Sequence, residues 1–201
     1  MVSTDAEPER LTAPEKPALM QTPSQTVGPF FAFALPFDGG PFLVPPGAPQ
    51  AIRLHGAVFD GAGAPVPDAL LEVWQRDADG RIVAEPGSRR RDRGAFTGFG
   101  RAETEVDGTY EFRTVLPGPD ATGARWALLA VFARGLLHHL FTRVYFVAEG
   151  EDEPTDALLD RLPAERRRTL LARPGADGAY RFDVRLQGED ETVFLDYPGP
   201  R

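Results

Sequence analysis

The chain contains no cysteine and only three histidines in 201 residues. Without cysteine there is neither a disulfide framework nor a thiolate metal site, so redox chemistry says nothing about compartment and cytoplasm is the default expectation. Its three serines, Ser3, Ser24 and Ser88, stand outside any Gly-x-Ser-x-Gly elbow, and no Gly-x-x-x-x-Gly-Lys phosphate loop occurs. Hydrolase and nucleotide chemistry therefore have no foothold. The longest uninterrupted apolar run, residues 126–133, is far shorter than the ~20 residues of a membrane-crossing helix. Basic residues are also in deficit, 22 against 30 acidic, for a net charge of −8. Such a balance repels a phosphate backbone and predicts neither nucleic-acid nor membrane partners.

A hydrophobic content of 42% is enough for one full core. Residues 1–20 are acidic and punctuated by proline, without apolar periodicity or a secretory pattern, and are expected to form a disordered tail. Residues 21–50, rich in aromatics and proline, predict an extended arm lying across another surface. From residue 51 to 201 short strand-like segments recur, notably 51–59, 71–75, 126–132, 140–146 and 179–186, with alternation in the first two and the last. Asp107-Gly108 between two such segments predicts a tight hairpin. The fold class is thus all-β, an antiparallel sandwich with one buried face per strand. A helical insert over about 155–173 interrupts it, with Thr155 as a cap and Leu158, Leu159 and Leu162 on one face.

Candidate ligands are scarce. His138 and His139 are neighbours, and adjacent strand residues point to opposite faces, so the pair cannot readily share a metal; core or interface roles are expected for them and for His55. Asp77-Ala78-Asp79-Gly80 has its glycine in the fourth position, where a calcium loop needs it in the sixth, and predicts a plain turn. The basic run at residues 89–93 predicts a solvated loop.

Five segments in fixed order carry more information: T-P-S-Q-T-V-G-P at 22–29, L-E-V-W-Q-R-D-A-D-G at 71–80, F-A-R-G at 132–135, T-R-V-Y-F at 142–146 and Y-R-F-D-V-R-L-Q-G-E-D-E-T-V-F at 180–194. Together they resemble the intradiol ring-cleaving dioxygenases of the protocatechuate type. In that family two tyrosines and two histidines hold a ferric ion, the tyrosinates being hard, electron-rich ligands that stabilise Fe(III). Here the matching positions are vacated. The loop 80–100 has no tyrosine, Asp120 stands where the metal-bearing chains read Gly-Pro-Tyr, and Trp126 and Leu128 replace the two histidines of His-x-His.

The resemblance therefore implies a chain of the α type, which holds no metal and completes the site of a related β subunit that carries Fe(3+). Its implied reaction is cleavage of protocatechuate with O2 to 3-carboxy-cis,cis-muconate, a step of aromatic catabolism. The arm would line the mouth of the partner's pocket through Thr26, Gly28 and Pro29, and Arg134 of the F-A-R-G segment would attract the substrate carboxylate. Read from the residues alone, Gly28-Pro29 is a turn and Arg134 a surface residue ending a strand. Two alternatives stay open: a self-sufficient intradiol dioxygenase for another catechol, and a non-catalytic sandwich that only binds.

Overall fold

The computed structural model describes residues 23–28, 31–83 and 95–197. The tail at 1–20, Thr22, Pro29, Phe30 and the basic run at 89–93 lie outside the described residues.

Nine strands appear in order: β1 (Ala51–Phe59), β2 (Leu70–Gln75), β3 (Phe99–Glu103), β4 (Thr109–Val115), β5 (Trp126–Phe132), β6 (Leu140–Phe146), β7 (Leu171–Pro174), β8 (Tyr180–Arg181) and β9 (Val184–Arg185). They form two layers. One runs β3-β2-β5-β6 and the other β8-β1-β4, with β9 also beside β1. Strand β7 joins them: Leu171 and Ala172 pair with β6, whereas Arg173 and Pro174 pair with β8.

Alternation decides what each layer buries. Leu71, Val73, Ala127, Leu129, Val131, Val144 and Phe146 from the first layer share one core with Leu54, Val58, Tyr110, Phe112, Phe182 and Val184 from the second. Each fully buried aliphatic or aromatic side chain here contributes about 1.5–3 kcal/mol. Gln75 is a buried polar residue of this interior, and it is satisfied across the layers: its amide donates to the Val115 carbonyl at 3.0 Å and accepts from the Thr114 hydroxyl at 2.8 Å. Unpaired, such an amide would be costly to bury.

The sandwich expected from the sequence is present, but it is not wholly antiparallel. Strand β1 pairs in parallel with β8 and β9, and β6 pairs in parallel with β7. Parallel neighbours need a long crossover, and residues 147–170 supply one between β6 and β7. Asp107-Gly108 does make a tight turn, with Gly108 at φ 78° and its N–H on the Glu105 carbonyl. Its flanking strands nevertheless separate into different layers, β3 pairing with β2 and β4 with β1. A turn signal fixes the chain reversal but not the strands' partners.

The segment 179–186 is likewise two short strands, because β1 carries glycine at its middle. A Cβ on Gly56 would lie 1.8 Å from the Phe182 carbonyl oxygen. That carbonyl accepts the Tyr110 hydroxyl at 2.6 Å, and the neighbouring Asp183 carboxylate accepts the Ala57 N–H at 3.0 Å. Within 155–173 the chain forms a 3-10 turn (Leu159–Arg161), α2 (Ala164–Arg167) and a second 3-10 turn (Arg168–Leu170) before entering β7; the arm, expected to be extended, contains a single helical turn, α1 (Phe31–Ala34). The first turn is capped by Asp156 in place of Thr155: its carboxylate accepts the N–H groups of Leu158 and Leu159 at 2.8 and 2.9 Å.

Candidate functional site

Strand β5 points Ala127, Leu129 and Val131 into the core, so Trp126 and Leu128 project from the outer face of the first layer. Register sets their neighbours. Trp126 lies opposite Tyr145 of β6, and Leu128 lies between Trp74 of β2 and Arg143 of β6. Asp120 reaches the same place from the loop before β5, where its Oδ2 accepts the Trp126 indole N–H at 2.8 Å. Its other oxygen accepts from the Thr122 N–H and hydroxyl at 2.8 and 2.6 Å, and from the Ala124 N–H at 3.2 Å. Partial burial pushes the Asp120 carboxyl up, but those hydrogen bonds outweigh it and hold its pKa at about 2.

A cation already occupies this face. The Arg143 guanidinium lies 4.1 Å from the centre of the Trp126 ring, and Arg76 approaches the same ring at 5.4 Å. Arg143 also pairs with Asp156, which is only 5% exposed, at 3.0 Å. Tyr145 donates its hydroxyl to the same Asp156 oxygen at 2.6 Å and accepts from Arg143 at 3.1 Å. Burial raises the Tyr145 phenol well above its ordinary value, and the Asp156 hydrogen bond raises it further. The phenol is therefore a neutral donor. Sequence reasoning singled out Asp120, Trp126 and Leu128 but not Arg143, Tyr145 or Asp156. Arg143 and Tyr145 were legible as outward neighbours of β5 in a paired strand, whereas Asp156 comes from the β6–β7 crossover and carried no signal.

These side chains do not fit a ferric ion. Trp126 and Leu128 offer no lone pair, the phenol keeps its proton, and the acceptor sites of Asp120 are taken by four hydrogen bonds. Among the described residues no group of three or more His, Asp or Glu is arranged to hold a metal. The other pieces of family-like sequence have ordinary roles: the Asp77 carboxylate closes its own turn by accepting the Asp79 and Arg81 N–H groups at 3.0 and 2.8 Å. His138 and His139 sit in the exposed β5–β6 loop and face different partners, His138 meeting Ser24 at 3.2 Å and His139 stacking on Phe132.

The second group of predicted residues meets at the far end of β5. Thr26 Oγ1 accepts the Gly135 N–H at 2.8 Å, which fastens residues 23–28 to the loop carrying Arg134. Gln25 and Val27 of the arm also line a small cavity with Phe132, Ala133, Leu136 and Leu137. Arg134 is half exposed and forms an ion pair with Asp68, a partner that the sequence did not suggest. Among the described residues nothing crowds Gly28, where a Cβ would meet no atom within 4 Å. Six residues of extended chain separate Leu128 from Arg134, or roughly 20 Å. The Thr26 and Arg134 surface is therefore distinct from the face bearing Trp126 and Leu128.

The chain is similar to known proteins over most of its length. A family model described as Dioxygenase matches residues 27–188. The protocatechuate 3,4-dioxygenase alpha chain of Burkholderia cepacia is 45% identical over 195 residues, covering 89% of this chain and 98% of its own. The beta chain from the same organism is 30% identical over 161 residues, covering 71% of this chain and 67% of its own. Among solved structures, the dioxygenase domain of a dioxygenase and carbohydrate-binding protein fusion from Streptomyces sp. SirexAA-E superposes with a TM-score of 0.51 at 24% identity, covering 84% of this chain and 100% of that one. This last likeness concerns the fold alone.

Proposed function

From its membership of the dioxygenase family, to which this chain belongs, we propose that it works as the α subunit of a protocatechuate 3,4-dioxygenase, joined to a β subunit that carries ferric iron. The assembly cleaves the protocatechuate ring with O2 to give 3-carboxy-cis,cis-muconate in the cytoplasm. In this reading the bound iron makes the ring electron-rich enough to react with O2, and the present chain supplies a wall of the partner's pocket. Its residues there are Thr26, Gly28, Pro29 and Arg134.

The observation that carries the reading is the fastening of the arm to the Arg134 loop through Thr26 and Gly135. The two predicted substrate-facing elements form one surface, roughly 20 Å along β5 from this chain's own vacated face. A surface so placed cannot serve that face and is available to a neighbouring subunit. The open space around Gly28 and the half-exposed Arg134 suit the same role. Asp68 pairs with Arg134, and the remaining guanidinium N–H groups can donate to a substrate carboxylate. A self-sufficient enzyme is disfavoured because the side chains at the vacated face are engaged with one another.

The test is steady-state kinetics on the co-expressed assembly. Arg134→Ala should raise KM for protocatechuate more than it lowers kcat, and kcat/KM should fall roughly ten- to hundredfold for loss of one charge-assisted contact. A catechol without the carboxylate should respond much less. Equal kcat/KM, within about twofold, for wild type and Arg134→Ala on both substrates would remove Arg134 from the pocket. Failure of any β chain to co-purify would remove the subunit reading itself.

A further inference from the structure

A cavity of about 480 Å³ opens where β7, β8 and β9 meet the turn at residues 168–170. Four arginines line it, Arg168, Arg173, Arg181 and Arg185, against three carboxylates. In a chain with a net charge of −8 this inverts the prevailing sign. Arg173 and Arg181 are partners in register on adjacent strands, so their side chains emerge together.

Three of the arginines have a carboxylate neighbour at the exposed rim of the cavity. Arg173 is tethered to Glu153 at 2.7 Å, Arg168 to Asp190 at 2.9 Å and Arg181 to Asp183 at 3.0 Å. Each tether on Arg168 and Arg173 uses a single Nη atom, leaving most of a guanidinium's five N–H donors directed elsewhere. Arg185 has no carboxylate partner among the described residues; its guanidinium rests 4.9 Å from the Phe59 ring. Its backbone is clamped on both sides by Thr192, whose hydroxyl accepts the Arg185 N–H and whose N–H meets the Arg185 carbonyl, each at 3.0 Å.

We propose that this cavity binds a small organic polycarboxylate. Several spread guanidiniums match several carboxylates on a short carbon skeleton better than one compact tetrahedral anion, which a few converging donors would satisfy. Partly buried Leu171 supplies apolar wall against which that skeleton can lie. The volume falls within the range of small-molecule sites.

Calorimetric titration of the intact purified assembly tests the proposal, with tricarballylate as the probe and inorganic phosphate and acetate at matched ionic strength as comparators. Tricarballylate should bind saturably at one site per copy of this chain, and Arg185→Gln or Arg173→Gln should each weaken it roughly tenfold. Unfolding midpoints of both variants should stay close to the wild type, and Arg185→Lys should recover part of the affinity if either glutamine variant folds poorly. Arg81→Gln, which removes a charge from the exposed pair with Asp79, should change nothing. Binding should also survive Arg134→Ala, which separates this cavity from the proposed substrate wall. Absence of saturable heat, equal responses to phosphate or acetate, unaltered affinity in both cavity variants, or loss in Arg134→Ala would each overturn it.

Discussion

Trp126 gives its indole N–H to Asp120 at 2.8 Å, so the Asp120 carboxylate is committed to a neighbouring side chain. The indole of Trp126 and the aliphatic group of Leu128 offer no metal donor, and the carboxylate is further consumed by hydrogen bonds from its own loop. The cation of the site is the Arg143 guanidinium, stacked on the same indole and paired with Asp156.

Asp120 makes that arrangement sensitive to acid. Its folded-state pKa of about 2 lies below the ordinary carboxylate value of about 3.9. The unfolded chain therefore takes up the proton first as pH falls, and the stabilisation, complete above the unfolded pKa, is lost as pH drops through about 2. Asp120→Asn should cost about 1–2 kcal/mol near neutrality, and its deficit relative to wild type should shrink across that acid window. Urea unfolding at several pH values checks this; a deficit constant throughout would show that the charge on Asp120 is immaterial.

Arg143 should matter more than the surface arginines. Asp156 is 5% exposed, and removing its cation leaves a buried carboxylate with only Tyr145 and two backbone donors. Arg143→Ala should cost about 3–5 kcal/mol. Arg81→Ala, which breaks a pair exposed on both sides, should cost less than about 1 kcal/mol. Chemical denaturation of the two variants side by side decides it, and similar losses would mean that the pair at Asp156 is worth no more than a surface contact.

The sequence carried some of this directly. Strand boundaries at 51–59, 126–132 and 140–146 coincide with β1, β5 and β6, because a short apolar or alternating run is written in the strand's own residues. Pairing was less legible: Asp107-Gly108 marks a real turn, yet Thr104 N–H goes to Ala69 and Val58 N–H goes to Gly108, so the chain departs into two layers. At the site, the loss of donor atoms at Trp126 and Leu128 was plain from residue type. What filled the space was not, since Arg143, Asp156 and Asp120 meet only through strand register and two separate loops. The Arg134 and Asp68 ion pair was hidden for the same reason.

Gly56 and Tyr110 form a second structural dependency, well inside the sandwich. A methyl group at Gly56 would collide with backbone at Phe182, which cannot yield as a side-chain tip can. Gly56→Ala should therefore destabilise by more than about 3 kcal/mol. Tyr110→Phe should cost about 1–3 kcal/mol by leaving the Phe182 carbonyl without its phenol donor. Thermal and urea unfolding should rank glycine replacement as the worse of the two; the reverse order would show that the strands can separate at this point with little loss.

Introducing histidines alone should not create a ferric centre. In Trp126→His with Leu128→His, both imidazoles would emerge from β5 on the outer face, but Arg143 would still lie opposite position 128 with its charge directed at the same space. A cation so close raises the cost of a second, trivalent one. Tyr145 would remain a protonated donor to Asp156, and the protein would have no tyrosinate to stabilise the ferric state. Adding Arg143→Gln to the histidine pair should permit weak divalent binding by the imidazoles, for which Co(II) is a suitable spectroscopic probe. Metal analysis and visible absorption of the purified chain separate the outcomes. Stoichiometric iron with an intense visible charge-transfer band in the two-histidine variant would show that neither Arg143 nor the missing tyrosinate excludes the metal.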